Sequence, residues 1–118
     1  MNKSIIRISY ILIFSMFVIF NVTARTNFLD KEKTKFKVWG NCEMCNKTIS
    51  NAAKSLDGVL FFKWNSKTKI ATVKFDSDII SIEDIQLNIS LSGYDTENFK
   101  APDNIYNNLH YCCKYKRN

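Results

Sequence analysis

Apolar residues between positions 35 and 99 follow a definite order of patterns, and that order constrains the fold more than any other feature of the sequence. Residues 35–39 alternate apolar and polar side chains, which is typical of a half-buried strand. Residues 45–56 repeat their apolar positions at helical spacing. Residues 59–64 and 69–75 are rich in β-branched and aromatic side chains and flank a short polar turn, so they predict a hairpin.

The second half of this pattern adds a helix and an edge strand. Ser81 and Asp84 have the spacing of a capping box, which predicts the start of a helix that ends near Gly93. Residues 94–99 are polar and predict a weak fourth strand at the edge of the sheet. We therefore predict an α+β, ferredoxin-like βαββαβ sandwich, with a four-stranded antiparallel sheet and two helices on one face. A C-terminal tail, residues 100–118, follows the domain.

Residues 1–24 have the three-part layout of a secretory signal peptide. Lys3 and Arg7 precede an uncharged apolar run, and Ala24 ends a Val-x-Ala motif. We predict cleavage after Ala24 and export, with the bacterial periplasm as the destination; an uncleaved anchor is the alternative. Residues 25–34 are polar and predict a flexible lead-in to the domain at 35–99.

Charge and motif content limit the classes of function. The formal net charge is +6, but the basic residues are spread along the chain, which indicates a solvated surface rather than a nucleic-acid interface. The sequence has no phosphate loop, paired-carboxylate signature or Ser-His-Asp grouping, so we do not predict an enzyme. Once the leader is removed, no stable insertion into a membrane is predicted.

The four cysteines form two tight pairs, Cys42 with Cys45 and Cys112 with Cys113. Disulfides are the default for an even number of cysteines in an exported protein, but disulfide-stapled domains spread their cysteines along the chain. Two local pairs therefore indicate sites. The first pair lies where a strand gives way to a helix, and the unpaired N–H groups there favour thiolates. Such a pair can hold a soft metal ion or exchange disulfides.

Three motifs resemble the heavy-metal-associated domain family over residues 35–99: the C-x-x-C after the first strand, Asp57-Gly58-Val59, and Gly93-Tyr94-Asp95. The resemblance extends to exported bacterial members such as copper chaperones and the periplasmic mercury-binding protein. It implies that Cys42 and Cys45 are metal ligands and that Tyr94 lies beside them.

The loop departs from the family pattern at one position. The family usually has a methionine packed beneath the loop where this sequence has Gly40. Trp39 and Met44 are the candidates to fill that space. We expect Met44 to pack beside the site rather than to bind copper, although its thioether is a soft donor.

The chemistry of two thiolates favours Cu(I) or Hg(II), which accept two ligands, and allows Zn(II) where further ligands are present. We therefore predict an exported heavy-metal-binding protein, a metallochaperone or scavenger. It would pass its ion to a metal transporter or efflux component, as a monomer or a metal-bridged dimer.

Two other functions remain open. A thiol-disulfide exchange protein would use the same C-x-x-C, but it should also have a proline facing the cysteines, and Pro102 follows the last predicted strand. A ferredoxin-like interaction module would use its cysteines only for structure.

Cys112 and Cys113 have several possible roles. Adjacent cysteines rarely bond to each other without strain. They can complete the site of Cys42 and Cys45, bind a separate ion with His110, form a disulfide to the first pair, or have no role. His110 alone is more often a solvated tail residue than a ligand.

Overall fold

The computed structural model describes residues 3–19 and 31–117. Within these ranges the elements are, in order, α1 (Lys3–Ile19), β1 (Lys31–Lys37), α2 (Glu43–Lys54), β2 (Val59–Trp64), β3 (Ile70–Asp76), α3 (Ile82–Leu91), the short α4 (Asp103–Asn107) and a 3-10 turn at Tyr111–Cys113. The predicted order of strands and helices is found up to the end of α3.

The segment assigned to a signal peptide contains α1, which covers most of the apolar run. The expected cleavage after Ala24 lies outside the described residues, so export stays a prediction. None of the helices in the described ranges is long and apolar enough to cross a membrane.

The sheet is antiparallel and its strands lie in the order β1-β3-β2. The pairing of β1 with β3 runs from Lys31 opposite Asp76 to Lys37 opposite Ile70. The strand therefore begins before residue 35, and the prediction of a flexible lead-in over 25–34 is wrong for residues 31–34. Residues 25–30 lie outside the described ranges.

The predicted fourth strand at 94–99 is wrong as a strand, because only one antiparallel bridge forms there. That bridge joins Val38, just past the end of β1, to Thr96. The Thr96 N–H then donates to the Phe99 carbonyl at 2.8 Å, and the Thr96 side chain accepts from the Phe99 N–H at 3.2 Å. This local turn competes with sheet pairing, so the described sheet has three strands and a bridged segment at its β1 edge.

The helices close the core from one side. α3 begins with the predicted capping box, in which the Ser81 hydroxyl accepts from the Asp84 N–H at 3.2 Å. Ile49 on α2 and Ile85 and Ile89 on α3 are fully buried. They belong to one apolar cluster with the inward side chains of the sheet region, which are Phe36, Val38, Phe62, Trp64, Ala71, Val73 and Phe75. Burial of this cluster is the main force that holds the helices on the sheet.

Trp64 fills the space beneath the loop that precedes α2. Its ring is 2% exposed, and its indole N–H donates to the Val38 carbonyl at 3.0 Å. A Cβ at Gly40 would lie 3.0 Å from the edge of this ring and 3.2 Å from Ile49. Glycine therefore stands where a methionine was expected because an indole from β2 already occupies the volume. Met44 does not fill it, since that side chain is 51% exposed.

The tail packs against the domain rather than extending away from it. Tyr115 is buried and its ring stacks on that of Tyr94, with the centroids 5.9 Å apart. The Tyr115 hydroxyl accepts from the Asp95 N–H at 2.7 Å and donates to the Gly93 carbonyl at 3.0 Å. One tail side chain thus joins both ends of the loop that contains Tyr94.

Arg117 holds the end of the described tail. Its guanidinium bonds both oxygens of Asp95, at 2.8 and 3.1 Å, and also reaches Asp103 at 2.8 Å. Burial disfavours the charged form of Asp95, but the hydrogen bonds from Arg117 and from the Ala101 N–H outweigh it and lower the pKa of this carboxyl group. The ion pair is only slightly exposed, so solvent screens it weakly.

The Arg117–Asp95 pair should contribute measurably to stability. We expect Arg117→Gln to lower the free energy of unfolding by about 2 kcal/mol at neutral pH, because it leaves a shielded carboxylate without its charged partner. The pKa of Asp95 is lower in the folded chain than the unfolded value of about 3.9, so its contribution is present above that pH and is lost on acidification. Urea unfolding at several pH values measures both effects.

The matched control for this variant is Lys116→Gln, which removes one exposed positive charge from the neighbouring position. It should change the free energy of unfolding by less than about 0.5 kcal/mol. If the two variants were equally stable, or if the deficit of R117Q stayed constant as the pH fell below about 4, the role assigned to the pair would be wrong.

The contact between Gly40 and Trp64 can be tested with a double-mutant cycle. We expect Gly40→Ala to destabilise the protein by about 1–3 kcal/mol, because the added methyl group would lie only 3.0 Å from the buried indole ring. The same substitution in a Trp64→Phe background should cost less, since the smaller ring leaves room. Urea unfolding of the four proteins measures the coupling, and additive effects would contradict this packing.

Candidate functional site

Cys42 and Cys45 lie at the junction of the first strand region with α2, as predicted. Cys42 is the N-cap residue of α2 and is half-buried, whereas Cys45 lies in the first turn and faces the core. Their sulfur atoms are 3.6 Å apart. Both cysteines carry free thiols, so the pair is open to metal binding and to oxidation.

The surroundings of Cys42 favour loss of its thiol proton near neutral pH. The hydrogen bond from the Cys45 backbone N–H is the main cause that lowers the pKa of Cys42 to about 7, and partial desolvation opposes it. The Cys45 thiol and the Met44 N–H add to the same effect. The start of a helix thus supplies donors that stabilise a thiolate at this position.

The tail brings the second cysteine pair to the first. The sulfur atoms of Cys42, Cys112 and Cys113 all lie within 4.8 Å of one another. Cys112 and Cys113 are 3.9 Å apart at their sulfurs, and the Cys112 carbonyl lies 3.8 Å from the Cys42 sulfur. The tail cysteines therefore lie beside the first pair, and all four thiols are free.

Two of the four thiols lie at the surface and two lie beneath them. Cys42 and Cys112 are half-buried, while Cys45 and Cys113 are buried. Burial raises the pKa of Cys113 to about 12, and its hydrogen bond with Cys45 adds to the rise. Without a cation beside it, the Cys113 thiol therefore stays protonated at neutral pH.

Tyr94 lies against the two buried thiols, as the resemblance implied. Its side chain is almost fully buried. Burial is the main cause that raises the pKa of the Tyr94 phenol, followed by its hydrogen bonds with Cys113 and Cys45. The phenol therefore stays protonated and can donate a hydrogen bond to sulfur.

Met44 and His110 lie at the outer edge of the cluster. The Met44 Sδ is 3.9 Å from the Cys112 sulfur, and the His110 Nδ1 is 3.4 Å from it. Both side chains face the exposed side of the site, and their contact with the sulfurs runs through Cys112. The sequence linked His110 to the tail cysteines as a candidate ligand, but it did not place Met44 beside Cys112.

Sequence patterns missed the residues that bring the tail to the loop. Tyr115 packs on Tyr94, Arg117 bonds Asp95, and the Asn41 side-chain amide donates to the Lys114 carbonyl at 3.2 Å. The available signal was the presence of aromatic and charged residues in the tail.

A comparison with protein families supports the resemblance. The model of the heavy-metal-associated domain family matches residues 41–95, which include Cys42, Cys45 and Tyr94. The tail cysteines lie outside the match. A comparison with curated proteins finds no match.

Solved structures of the same fold include three informative relatives. A putative copper-ion-binding protein from Bacillus anthracis str. Ames is 29% identical, with a TM-score of 0.55, and the alignment covers 57% of this chain and 96% of that one. A copper binding domain from a P-type ATPase is 27% identical, with a TM-score of 0.54 and coverages of 55% and 89%.

Oxidized MerP from Ralstonia metallidurans CH34 shares the fold at 24% identity, with a TM-score of 0.54 and coverages of 57% and 94%. The alignments span nearly the whole of each of these relatives but little more than half of this chain. Residues 41–95 of this chain therefore match the heavy-metal-associated domain family, and its fold is similar to that of these relatives.

Proposed function

We propose that this protein binds a soft metal ion, Cu(I) or Hg(II), through Cys42 and Cys45 and passes it to a protein partner. The observation that carries the proposal is the pair of free thiols 3.6 Å apart at the start of α2, within a heavy-metal-associated domain. Zn(II) would need ligands beyond this pair. Binding and transfer of an ion require no enzymatic step.

The two cysteines differ in a way that suits uptake of a thiophilic ion. Metal ligands must be thiolates, and the pKa of Cys42 is lowered to about 7 by the Cys45 backbone N–H, so this sulfur is available near neutral pH. It is also the more exposed of the two. An ion would meet Cys42 first and would then displace the proton of Cys45.

The exposure of Cys42 also suits transfer of the bound ion to a partner. A thiolate of the partner adds to the bound ion, and the bond from the ion to Cys42 breaks, so the number of metal–sulfur bonds is kept through the exchange. The buried Tyr94 phenol lies beneath the site, where it can donate to the inner sulfurs and lower their charge density. We propose a metal transporter or efflux component as the partner, which agrees with the P-type ATPase domain among the relatives.

Export is a part of the proposal that rests on residues 1–24 alone. The leader would be removed after Ala24, and the domain would work in the periplasm as a monomer or a metal-bridged dimer. An oxidising compartment would require the cysteines to be kept reduced or metal-bound. The same cysteines would serve thiol-disulfide exchange, which is the competing function.

The proposed ligands can be tested by titrating reduced, metal-free protein with Cu(I) in the presence of a competing chelator. We expect Cys42→Ser combined with Cys45→Ser to weaken Cu(I) binding by more than about 100-fold, because both soft donors are lost. Glu43→Gln is the matched control, since it changes an exposed neighbour in the same loop and leaves all four sulfurs.

Unchanged Cu(I) affinity in the C42S/C45S variant would contradict the proposal. Catalysis of disulfide reduction by the metal-free protein, together with no affinity for Cu(I) or Hg(II), would favour thiol-disulfide exchange instead. Circular dichroism should first establish that both variants keep the native secondary structure.

The difference between the exposed and buried thiols predicts a selective pH profile for alkylation. In reduced, metal-free protein we expect Cys42 to react first with iodoacetamide, at a rate that rises from acid and levels off above a pKa of about 7. Cys113 should stay unmodified up to about pH 9, because burial raises its pKa to about 12. Peptide mapping by mass spectrometry measures both rates. Equal reactivity of the two thiols at neutral pH would contradict the assignment.

A further inference from the structure

The two cysteine pairs lie side by side and form one cluster of sulfur atoms. Cys45 adjoins Cys42 at 3.6 Å, Cys42 lies within 4.8 Å of Cys112, and Cys112 adjoins Cys113 at 3.9 Å. Cys113 also lies within 4.8 Å of Cys42, so both tail sulfurs adjoin the first pair. We propose that Cys112 and Cys113 are ligands of the same ion as Cys42 and Cys45, so that one chain surrounds its ion with four thiolates.

The spacing of the sulfurs supports this coordination. An ion held linearly between two thiolates separates the sulfurs by roughly twice the metal–sulfur bond, or about 4.6 Å for a bond of about 2.3 Å. A tetrahedral site with the same bond length has neighbouring sulfurs about 3.8 Å apart. The 3.6 Å and 3.9 Å separations within the two pairs are close to the tetrahedral value.

The tail is held in this position by contacts that do not involve sulfur. Arg117 bonds Asp95, Tyr115 is buried against Tyr94, and the Asn41 amide donates to the Lys114 carbonyl at 3.2 Å. The Tyr106 hydroxyl also donates to the Tyr115 carbonyl. Because these contacts fix the residues that directly follow Cys112 and Cys113, the additional ligands are placed before an ion arrives, and little chain entropy is lost on binding.

A site of this kind selects ions that accept four sulfur ligands. Zn(II) and Cd(II) are tetrahedral with thiolates, and Cu(I) accepts more than two. With every coordination position supplied by one chain, no position is left for a thiolate from a second copy. The inference builds on the proposed metal-binding function and favours a monomeric scavenger that retains its ion over a carrier that releases it quickly.

The test uses the full chain, reduced and metal-free, titrated with Cd(II), whose thiolate charge-transfer absorbance grows with the number of bound sulfurs. We expect one Cd(II) per chain and a monomer by sedimentation. Cys112→Ser combined with Cys113→Ser should remove roughly half of the absorbance and weaken binding by at least about tenfold. Cys112→Ser alone, at the half-buried position, should lower both quantities without disturbing the buried Cys113.

Met44→Leu is the matched control, because it removes the sulfur nearest Cys112 without removing a thiolate. It should leave the absorbance unchanged, and a loss equal to that of C112S would overturn the four-thiolate site. Absorbance and affinity equal to wild type in both tail variants would also overturn it, while leaving the proposed function intact. If binding were lost only in C42S/C45S, the tail cysteines would likewise not be ligands, whereas wild-type binding in C42S/C45S would contradict the proposed function itself.

Discussion

The ion pair between Arg117 and Asp95 is the contact on which the arrangement of the site depends. Asp95 lies in the segment bridged to the edge of β1, and Arg117 closes the described tail, so the pair joins regions that are distant in sequence. Tyr115 reinforces it, because its hydroxyl bonds the backbone on both sides of Tyr94. These contacts shield the charge pair from water, which strengthens it. Together they place the adjacent cysteines of the tail over the loop that contains Cys42 and Cys45.

Local patterns were sufficient to predict most of the domain. The alternation in β1, the helical period of α2 and the capping box of α3 each depend on residues within a few positions of one another, so they can be read directly from the sequence. The position of Cys42 and Cys45 was predictable for the same reason, because a motif between a predicted strand and a predicted helix must lie at the start of that helix. The heavy-metal-associated family match agrees with that part of the prediction.

Contacts between distant residues account for what could not be predicted. The polar segment after Gly93 looks like an edge strand, but Asp95 is engaged by Arg117 and the chain turns at Thr96 after a single bridge. The tail has no periodicity, so nothing local indicated that Tyr115 would be buried. Similarly, the reason for Gly40 lies in the indole of Trp64, which a loop motif does not include. In each case the local structure depends on a contact with a residue distant in sequence, which only tertiary packing brings close.

In the proposed function, the position of the tail would change the balance between holding an ion and releasing it. A site with two ligands exchanges readily, because an incoming thiolate can add before a bond breaks. Additional sulfurs from the same chain would compete with that thiolate at high effective concentration, so they would slow transfer even if they bound weakly. Release would then require the half-buried Cys42 and Cys112 to yield first, because Cys45 and Cys113 lie beneath them. A partner that approaches the outer side, where Met44 is exposed, would meet those two sulfurs before the buried pair.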